Sequence, residues 1–194
     1  MYKENNMPGQ SRCGSIEVIC GSMFSGKTEE LIRRVKRAQI ARQSIMIFKP
    51  TIDIRYSRED VVSHNQNSIT AVPVENSRLI PHLGANADVI AIDEAQFFDP
   101  NIANVCNEMA DLGKRVIVAG LDMDYLGHPF GPMPEILAIA DEVYKTRAIC
   151  MNCGRLATYS YRIAEGDQQV MLGEKMEYMP LCRCCYQELT KNRK

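Results

Sequence analysis

Residues 15–28 read SIEVICGSMFSGKT, a mostly apolar run followed by a glycine-containing loop. The first six residues are rich in β-branched side chains, which predicts a buried strand that ends at Gly21. The segment 21–28 matches the pattern GxxxxGK[ST]. Between a strand and a helix, this pattern predicts a loop whose backbone N–H groups surround the phosphates of a nucleoside triphosphate. The alternative is a chance Gly-rich turn, against which the flanking strand and helix argue.

The residues of this loop have different expected roles. Lys27 is expected to neutralise the β- and γ-phosphates, and the Thr28 hydroxyl to coordinate Mg²⁺. The following helix adds the positive end of its dipole. The residues predicted to bind the nucleotide are Gly21, Ser22, Met23, Phe24, Ser25, Gly26, Lys27 and Thr28.

Beyond the loop, helices and apolar strands alternate. Leu31, Ile32, Val35 and Ala38 recur at helical spacing and predict a helix over 28–42. Further strands are predicted at 44–48, 69–74, 88–93, 114–121 and 142–146, and helices at 77–83, 101–112 and 134–140. The polar segment 53–66 is predicted to be a mobile loop. Strands that are apolar throughout and alternate with helices predict an α/β fold, a parallel sheet with helices on both faces.

The composition limits the possible classes of protein. The chain has 194 residues, 45% of them hydrophobic, and a formal net charge of −1. That length allows one full domain and a small module, and the charge does not suggest a general nucleic-acid binder. No apolar run approaches the roughly 20 residues that cross a bilayer, and the polar start lacks a signal-peptide core. We therefore expect neither nucleic acid nor membrane as a partner, and a cytoplasmic location.

The character of the sequence changes near residue 148, where cysteines, tyrosines and glycines replace the alternation and no long helix is visible. We place a domain boundary there. The predicted organisation is a disordered leader (1–14), a nucleotide-binding α/β domain (15–148), a small cysteine-rich domain (149–187) and a basic tail (188–194).

Two adjacent carboxylates follow the apolar run 89–92. Asp93 ends that predicted strand and is expected to lie beside the metal of the nucleotide. Glu94 is expected to point into the cleft, where a carboxylate near Mg²⁺ can accept a proton from an attacking hydroxyl or water. Glu94 is thus the candidate general base. A helix cap formed by the Asp-Glu pair is the alternative.

Two CxxC pairs predict a structural zinc site with four thiolate ligands, Cys150, Cys153, Cys182 and Cys185. The interval 154–181 exceeds the roughly 15 to 20 residues usual between such pairs. It is expected to form a long loop or a hairpin, with arms suggested by alternation at 158–163 and 169–172. Four unligated thiols remain the alternative. Cys13, Cys20, Cys106 and Cys184 are expected to be free thiols.

A loop pinned at its base by zinc could close over a small phosphate acceptor. Tyr125, Pro129 and Phe130 follow the predicted strand 114–121 and could form an aromatic wall for that acceptor. Residues of these types are more often core or turn residues. Both interpretations stay open on composition alone.

Five segments together resemble the cytosolic, zinc-containing (type II) thymidine kinases, over about residues 15–186: GSMFSGKT (21–28), FKPTIDIRYS (48–57), IDEAQFF (92–98), LDMDYLGHPFG (121–131) and CMNC with CRCC (150–185). The resemblance implies a RecA-like P-loop core with a zinc-binding domain that carries a lasso loop. It implies transfer of the γ-phosphate of ATP to the 5′-hydroxyl of thymidine, and of deoxyuridine, in pyrimidine deoxynucleotide salvage for DNA synthesis. Family members are typically homotetramers inhibited by dTTP, so the resemblance implies the same assembly and inhibition for this chain.

The resemblance also implies residue roles. Glu94 matches the general base, and four residues match positions beside the nucleotide and metal: Asp53, Arg55, Asp93 and Gln96. The pocket around the thymine base corresponds to Met23, Leu121, Tyr125 and Phe130, with Tyr125 where animal members usually have Phe. Ser160 stands where the family often has a Thr that faces the base. The lasso is expected to bind the base through backbone groups near Tyr178, at Gln169, Val170, Met171, Leu172 and Gly173.

A different class of function is a nucleic-acid-stimulated ATPase, because residues 93–96 (DEAQ) resemble a helicase Walker B segment. A helicase generally needs two such domains and a basic surface, whereas this chain has room for one and a net charge of −1. A GTP-dependent switch is disfavoured because the sequence contains no Asn-Lys-x-Asp motif.

Overall fold

The computed structural model describes residues 13–51, 60–62, 68–163 and 177–191, with the backbone alone at 60–62, 68 and 69. The strands of the described part are β1 (Ser15–Cys20), β2 (Ile45–Pro50), β3 (Asp60–Val62), β4 (Ser68–Thr70), β5 (Val72–Val74), β6 (Val89–Ile92), β7 (Arg115–Gly120), β8 (Glu142–Lys145), β9 (Ala148–Ile149), β10 (Leu156–Ala157), β11 (Tyr159–Arg162) and β12 (Tyr178–Leu181). The helices are α1 (Lys27–Ile40), α2 (Leu79–Leu83), α3 (Ile102–Asp111), α4 (Met133–Ile139) and α5 (Arg183–Lys191), with a 3₁₀ turn at Ala95–Phe97. None of these helices is long and apolar enough to cross a membrane.

The main sheet has six strands in the order β5-β2-β6-β7-β1-β8. Every neighbouring pair is parallel, which confirms the predicted parallel sheet. β1 lies inside the sheet, between β7 and β8. Because all the strands run the same way, the segments that follow β1, β6, β7 and β8 meet at one edge of the sheet.

Helices cover both faces of this sheet, as the sequence predicts. Within β1, Val18 packs in the core under α3 and α4, whereas the next residue, Ile19, packs in the core under α1. Successive strand side chains point to opposite faces, so a strand buried on both sides has to be apolar at nearly every position. This explains the continuous apolar runs in the sequence.

One glutamate interrupts the apolar run of β1 and organises four elements. Glu17 accepts hydrogen bonds from Arg34 of α1 and from Arg115 Nε of β7, the latter at 2.5 Å. Arg34 also bonds Glu30 at 2.8 Å and Glu142 of β8 at 3.1 Å. Removing charges from water is costly, and pairing opposite charges in this way compensates much of that cost.

The segment between β2 and α2 differs from its prediction. The loop predicted at 53–66 contains β3, which pairs antiparallel with β4; the loop prediction is therefore wrong at 60–62, and its other residues lie outside the described ones. The strand predicted at 69–74 is two strands, of which β5 joins the main sheet. Pro73 is tolerated there because β5 is an edge strand and one side of it forms no backbone ladder.

The cysteine-rich part consists of two antiparallel strand pairs and a helix. β9 pairs with β10, and β11 pairs with β12. The expected hairpin arm at 158–163 corresponds to β11, but its partner is Tyr178–Leu181; the second arm predicted at 169–172 lies outside the described residues. No long helix was expected here, yet α5 has nine residues and includes positions 188–191 of the predicted tail. Only Cys185 and Tyr186 of α5 are buried, too few to produce a readable apolar stripe.

Candidate active site

The loop 21–26 connects β1 to α1 and has a backbone that favours glycine. Gly21 has φ 144°, Phe24 φ 60° and Gly26 φ 85°. A Cβ atom on Gly21 would lie 2.4 Å from the Thr146 carbonyl oxygen, so this position excludes any side chain. Gly26 is the left-handed residue that precedes α1. Left-handed residues within such a turn direct successive N–H groups to one side, which forms an anion-binding concavity.

Thr146, directly after β8, supports this loop. Its hydroxyl donates to the Cys20 carbonyl at 2.9 Å and is 2.7 Å from the Ser25 hydroxyl, which itself donates to the Ser22 carbonyl at 2.7 Å. The sequence did not identify Thr146. A threonine at a strand end carries no motif, and its role depends on β8 lying beside β1.

Lys27 is buried at the start of α1, and its ammonium donates to the Ser22 carbonyl at 2.8 Å. Burial lowers the pKa of Lys27, while the carboxylates of Glu94, Asp93 and Asp122 act in the opposite direction. A phosphate in the loop would also favour the charged ammonium. The loop backbone and this buried lysine are features of a phosphate-binding loop, and Thr28 is the second residue of α1.

Asp93 and Glu94 follow β6 at the same edge of the sheet as the loop. Asp93 is buried, and its Oδ1 accepts the Glu94 N–H at 3.0 Å. Glu94 has φ 52°, and its Oε2 accepts a hydrogen bond of 2.5 Å from Gln96 Nε2. The other end of the same amide accepts the Leu121 N–H at 2.9 Å. Gln96 therefore fixes the Glu94 carboxylate and joins the segments that follow β6 and β7.

A second acidic residue at this edge was missed from the sequence. Asp122 follows β7, is buried, and pairs through Oδ2 with Lys145 Nζ at 2.5 Å. Since Lys145 ends β8, this ion pair crosses β1 at the point where the phosphate loop begins. In the sequence DMD, no local pattern distinguishes Asp122 from Asp124. What distinguishes Asp122 is its ion pair with Lys145, which depends on the strand order β7-β1-β8.

The predicted pocket residues lie on segments next to the phosphate loop. The Met23 N–H donates to Ser160 Oγ of β11 at 3.0 Å, which joins the loop to the cysteine-rich part. Phe130 is buried and contacts Phe97 edge-on, with ring centroids 5.5 Å apart; Phe97 was not predicted as a site residue.

Two further predicted pocket residues, Tyr125 and Tyr178, lie next to Arg162 of β11. The guanidinium carbon of Arg162 is 3.4 Å from the centroid of the Tyr125 ring. Tyr178 of β12 lies directly opposite Arg162. Leu121 is connected to Glu94 through Gln96, as described above, so Leu121, Met23, Ser160 and Phe130 all have contacts at this edge of the sheet.

Seven predicted site residues lie outside the part of the chain that the structure describes. Asp53 and Arg55, expected beside the nucleotide, lie outside the described residues. The same holds for the expected lasso backbone at Gln169, Val170, Met171, Leu172 and Gly173. Their roles stay predictions.

The four cysteines of the CxxC pairs come together. The Sγ atoms of Cys150, Cys153, Cys182 and Cys185 all lie within 4.8 Å of one another, and those of Cys153 and Cys182 are 3.6 Å apart. Four sulfurs around one Zn²⁺ at about 2.3 Å would lie about 3.8 Å apart. This donor set therefore fits a tetrahedral zinc ion.

Neighbouring side chains orient these sulfurs. Arg155 Nε donates to Cys153 Sγ at 3.4 Å, and Asn152 Nδ2 donates to Cys185 Sγ at 3.2 Å. The Arg155 guanidinium lowers the pKa of the Cys153 thiol to about 6, which favours the thiolate that a metal requires. Cys20 and Cys106, expected to be free, are buried thiols of the main core.

Comparison with known proteins identifies a family. The family model described as thymidine kinase matches residues 14–186. A relative named thymidine kinase from Porphyromonas gingivalis W83 is 62% identical over 185 residues, covering 95% of this chain and 91% of the relative. A thymidine kinase from Bacteroides fragilis YCH46 is 58% identical over 187 residues, covering 96% and 94%. One from Rhodothermus sp. is 55% identical over 174 residues, covering 90% and 82%.

Proposed function

The chain belongs to the thymidine kinase family, and we propose from this that it transfers the γ-phosphate of ATP to the 5′-hydroxyl of thymidine, giving dTMP. Family membership over residues 14–186 is the observation that carries the proposal. The phosphate loop, Lys27 and the Asp93–Glu94 pair at one edge of the sheet support it, since phosphoryl transfer needs positioning and charge stabilisation more than covalent chemistry.

The donor half of the reaction is assigned to residues around the phosphate loop. Backbone N–H groups of 21–28 surround the phosphates, and Lys27 moves from the Ser22 carbonyl, 2.8 Å away, to the phosphate oxygens. Thr28 and Asp93 would hold Mg²⁺, which supplies charge neutralisation between the phosphates. Gln96, and by family resemblance Asp53 and Arg55, complete the assigned ATP site.

Glu94 is assigned as the general base. Its carboxylate accepts the proton of the 5′-hydroxyl as that oxygen attacks the γ-phosphorus. The hydrogen bond of 2.5 Å from Gln96 orients the carboxylate and leaves its second oxygen for the substrate.

The acceptor half of the reaction is assigned to residues that follow β1 and β7 and to residues of β11 and β12. Met23, Leu121, Tyr125, Phe130, Ser160 and Tyr178 are proposed to surround thymidine, with the backbone of 169–173 closing over the base. A hydroxyl oxygen can accept one hydrogen bond while it donates another. Ser160, which accepts the Met23 N–H at 3.0 Å, can thus donate its own hydrogen to the base.

The four cysteines are proposed to hold a structural zinc rather than a catalytic one. A catalytic zinc keeps a coordination position for water or substrate, whereas four thiolates complete the tetrahedron. We also propose a cytoplasmic location, since reducing compartments preserve free thiols such as those of Cys20 and Cys106.

Three finer properties are proposed from the family resemblance. The enzyme is expected to accept deoxyuridine as well as thymidine, to be inhibited by dTTP, and to assemble as a homotetramer.

The test of this function is incubation of the purified protein with γ-³²P-ATP, Mg²⁺ and thymidine, followed by separation of the nucleotides. Labelled dTMP is expected, and Lys27→Met should abolish it because the lysine charge at the phosphates is lost. ATP hydrolysis stimulated by DNA, without labelled dTMP, would contradict the proposal.

A further inference from the structure

Strand β11 has two different faces. Ser160 and Arg162 point to one side and Tyr159 and Tyr161 to the other, since side chains alternate along a strand. Ser160 accepts the Met23 N–H of the phosphate loop at 3.0 Å, so its side faces the nucleotide-binding core. On the other side, the rings of Tyr159 and Tyr186 stack with centroids 4.4 Å apart. The strand therefore lies between the core and α5.

Arg162 shares the core-facing side with Ser160, and its side chain contacts Tyr125. The residue is 1% exposed, and its guanidinium carbon lies 3.4 Å from the Tyr125 ring centroid. A buried charge is costly unless something compensates it. Stacking on an aromatic face is one compensation, and it is strongest where water is excluded.

Tyr125 is also held through its main chain. The Tyr186 hydroxyl donates to the Tyr125 carbonyl at 2.9 Å. Two residues further along, a Cβ atom on Gly127 would lie 3.2 Å from the Tyr159 ring and 3.5 Å from the Tyr186 hydroxyl. The segment around Tyr125 therefore packs directly on the two stacked tyrosines. Tyr186 follows Cys185, one of the four clustered cysteines.

We propose that Arg162 is a positioning residue for the nucleoside pocket, with Tyr186 as its partner: Arg162 fixes the Tyr125 ring, and Tyr186 fixes the Tyr125 main chain. The inference rests on the proposed function, because it takes Tyr125 as part of the thymidine pocket. It adds a route by which the four-cysteine site, through Tyr186, sets the shape of that pocket. Neither residue is expected to touch the phosphate groups.

The first test is Arg162→Lys, which keeps the charge but removes the planar group that stacks on the ring. We expect the KM for thymidine to rise about 3- to 30-fold, because the lysine ammonium cannot stack flat on the Tyr125 ring and holds it less firmly. The KM for ATP and kcat should change less than about twofold, as for the loss of a contribution that stabilises bound thymidine and the transition state equally. The matched control is Arg183→Lys, since Arg183 is exposed and its guanidinium carbon lies 5.1 Å from the Tyr159 ring centroid. It should leave both KM values unchanged.

A double-mutant cycle separates positioning from simple destabilisation. In a Tyr125→Leu background, which has no ring for Arg162 to hold, Arg162→Lys should no longer raise the KM for thymidine. An equal rise in both backgrounds would overturn the proposal. So would a rise in the KM for ATP as large as that for thymidine.

Tyr186→Phe tests the second contact without removing a ring. Losing the hydrogen bond to the Tyr125 carbonyl should raise the KM for thymidine about 2- to 10-fold while the zinc content stays that of the wild type. The inference would be overturned if Tyr186→Phe had the wild-type KM for thymidine and Arg162→Lys either also had the wild-type KM or failed to fold. If wild-type protein makes no dTMP, the proposed function fails; if it does and these variants behave as the wild type, only this inference fails.

Discussion

Glu94 combines a strained backbone with a fixed carboxylate. Its φ of 52° places a residue with a Cβ atom in the left-handed region, at a cost of about 1 kcal/mol or more. Gln96 holds the carboxylate at 2.5 Å. Such strain persists where the surrounding contacts enforce it, and it is concentrated at functional sites. Both features agree with Glu94 as the general base.

Glu94→Gln is the direct test of that role. Turnover should fall about 10²- to 10⁴-fold because the amide cannot accept the proton of the 5′-hydroxyl. ATP binding, measured by calorimetry, should stay near the wild-type value. Glu108→Gln, at an exposed position of α3, is the control and should keep full turnover. Turnover near the wild-type rate in the Glu94 variant would remove Glu94 as the base.

The sequence predicts some site residues and not others for a simple reason. Lys27 and Thr28 belong to one contiguous segment that matches a phosphate-loop pattern, so their spacing alone predicts their roles. Glu94 is identified because it follows a strand. Thr146 supports the same loop, and Asp122 forms an ion pair with Lys145 next to it; these residues follow or end strands that are distant from the loop in sequence. Their roles depend on the order β7-β1-β8, which no local pattern encodes.

The ion-pair cluster of Glu17, Arg34 and Arg115 connects β1, α1 and β7. Burial raises the pKa of Glu17, but the hydrogen bonds and charges of Arg115 and Arg34 outweigh it and hold the pKa below its usual value. The carboxylate is thus more stable in the folded chain than in the unfolded one. Glu17 consequently contributes to stability in a way that depends on pH.

Glu17→Gln should destabilise the fold by about 3 kcal/mol near pH 7, because it leaves two arginines short of a buried partner. A carboxyl group with a lowered pKa contributes stability above its unfolded pKa of about 4.3. That contribution is lost as pH falls through the folded value. The difference in free energy of unfolding between wild type and variant should therefore shrink below about pH 4. Urea unfolding from pH 7 to pH 3 measures it; a gap that is constant over this range would contradict the assigned ion pairs.

Elements differ in how well their sequences predict them. The strands β1, β6 and β7 were predicted closely because burial on both faces requires continuous apolar runs. The antiparallel pair β3–β4 was missed, because two three-residue strands are too short for an alternation to register. Helix α5 was missed because it buries only Cys185 and Tyr186. The partner of β11 was expected at 169–172 but is β12, because strand pairing depends on residues that are distant in sequence.

The molecule as a whole joins a nucleotide-binding core to a cysteine-rich part. Ser160 bonds the phosphate loop, Arg162 stacks on Tyr125, and Tyr186 bonds the Tyr125 main chain. The four clustered cysteines lie in this second part. A division of the chain at residue 148 stays a prediction.

Elemental analysis should find about one zinc per chain, held by the four thiolates. Cys153→Ser should lose most of that zinc and lower the melting temperature, because metal binding free energy contributes to folding. Its KM for thymidine should rise more than its KM for ATP, since Tyr186 lies next to Cys185. The matched control is Cys184→Ser, an exposed thiol outside the cluster, which should keep both zinc and stability. Full activity and stability in a zinc-free protein would contradict a structural metal.

Three features follow from short segments of this chain: a phosphate loop at 21–28, a carboxylate pair after a buried strand, and two CxxC pairs. Each can be read locally, because backbone propensity and ligand spacing act over a few residues. The placement of Thr146, Asp122 and Lys145 around the loop, and the contact of Arg162 and Tyr186 with Tyr125, came from the folded chain. Sheet order and strand pairing bring these groups together, and both depend on burial summed over the whole core rather than on neighbouring residues.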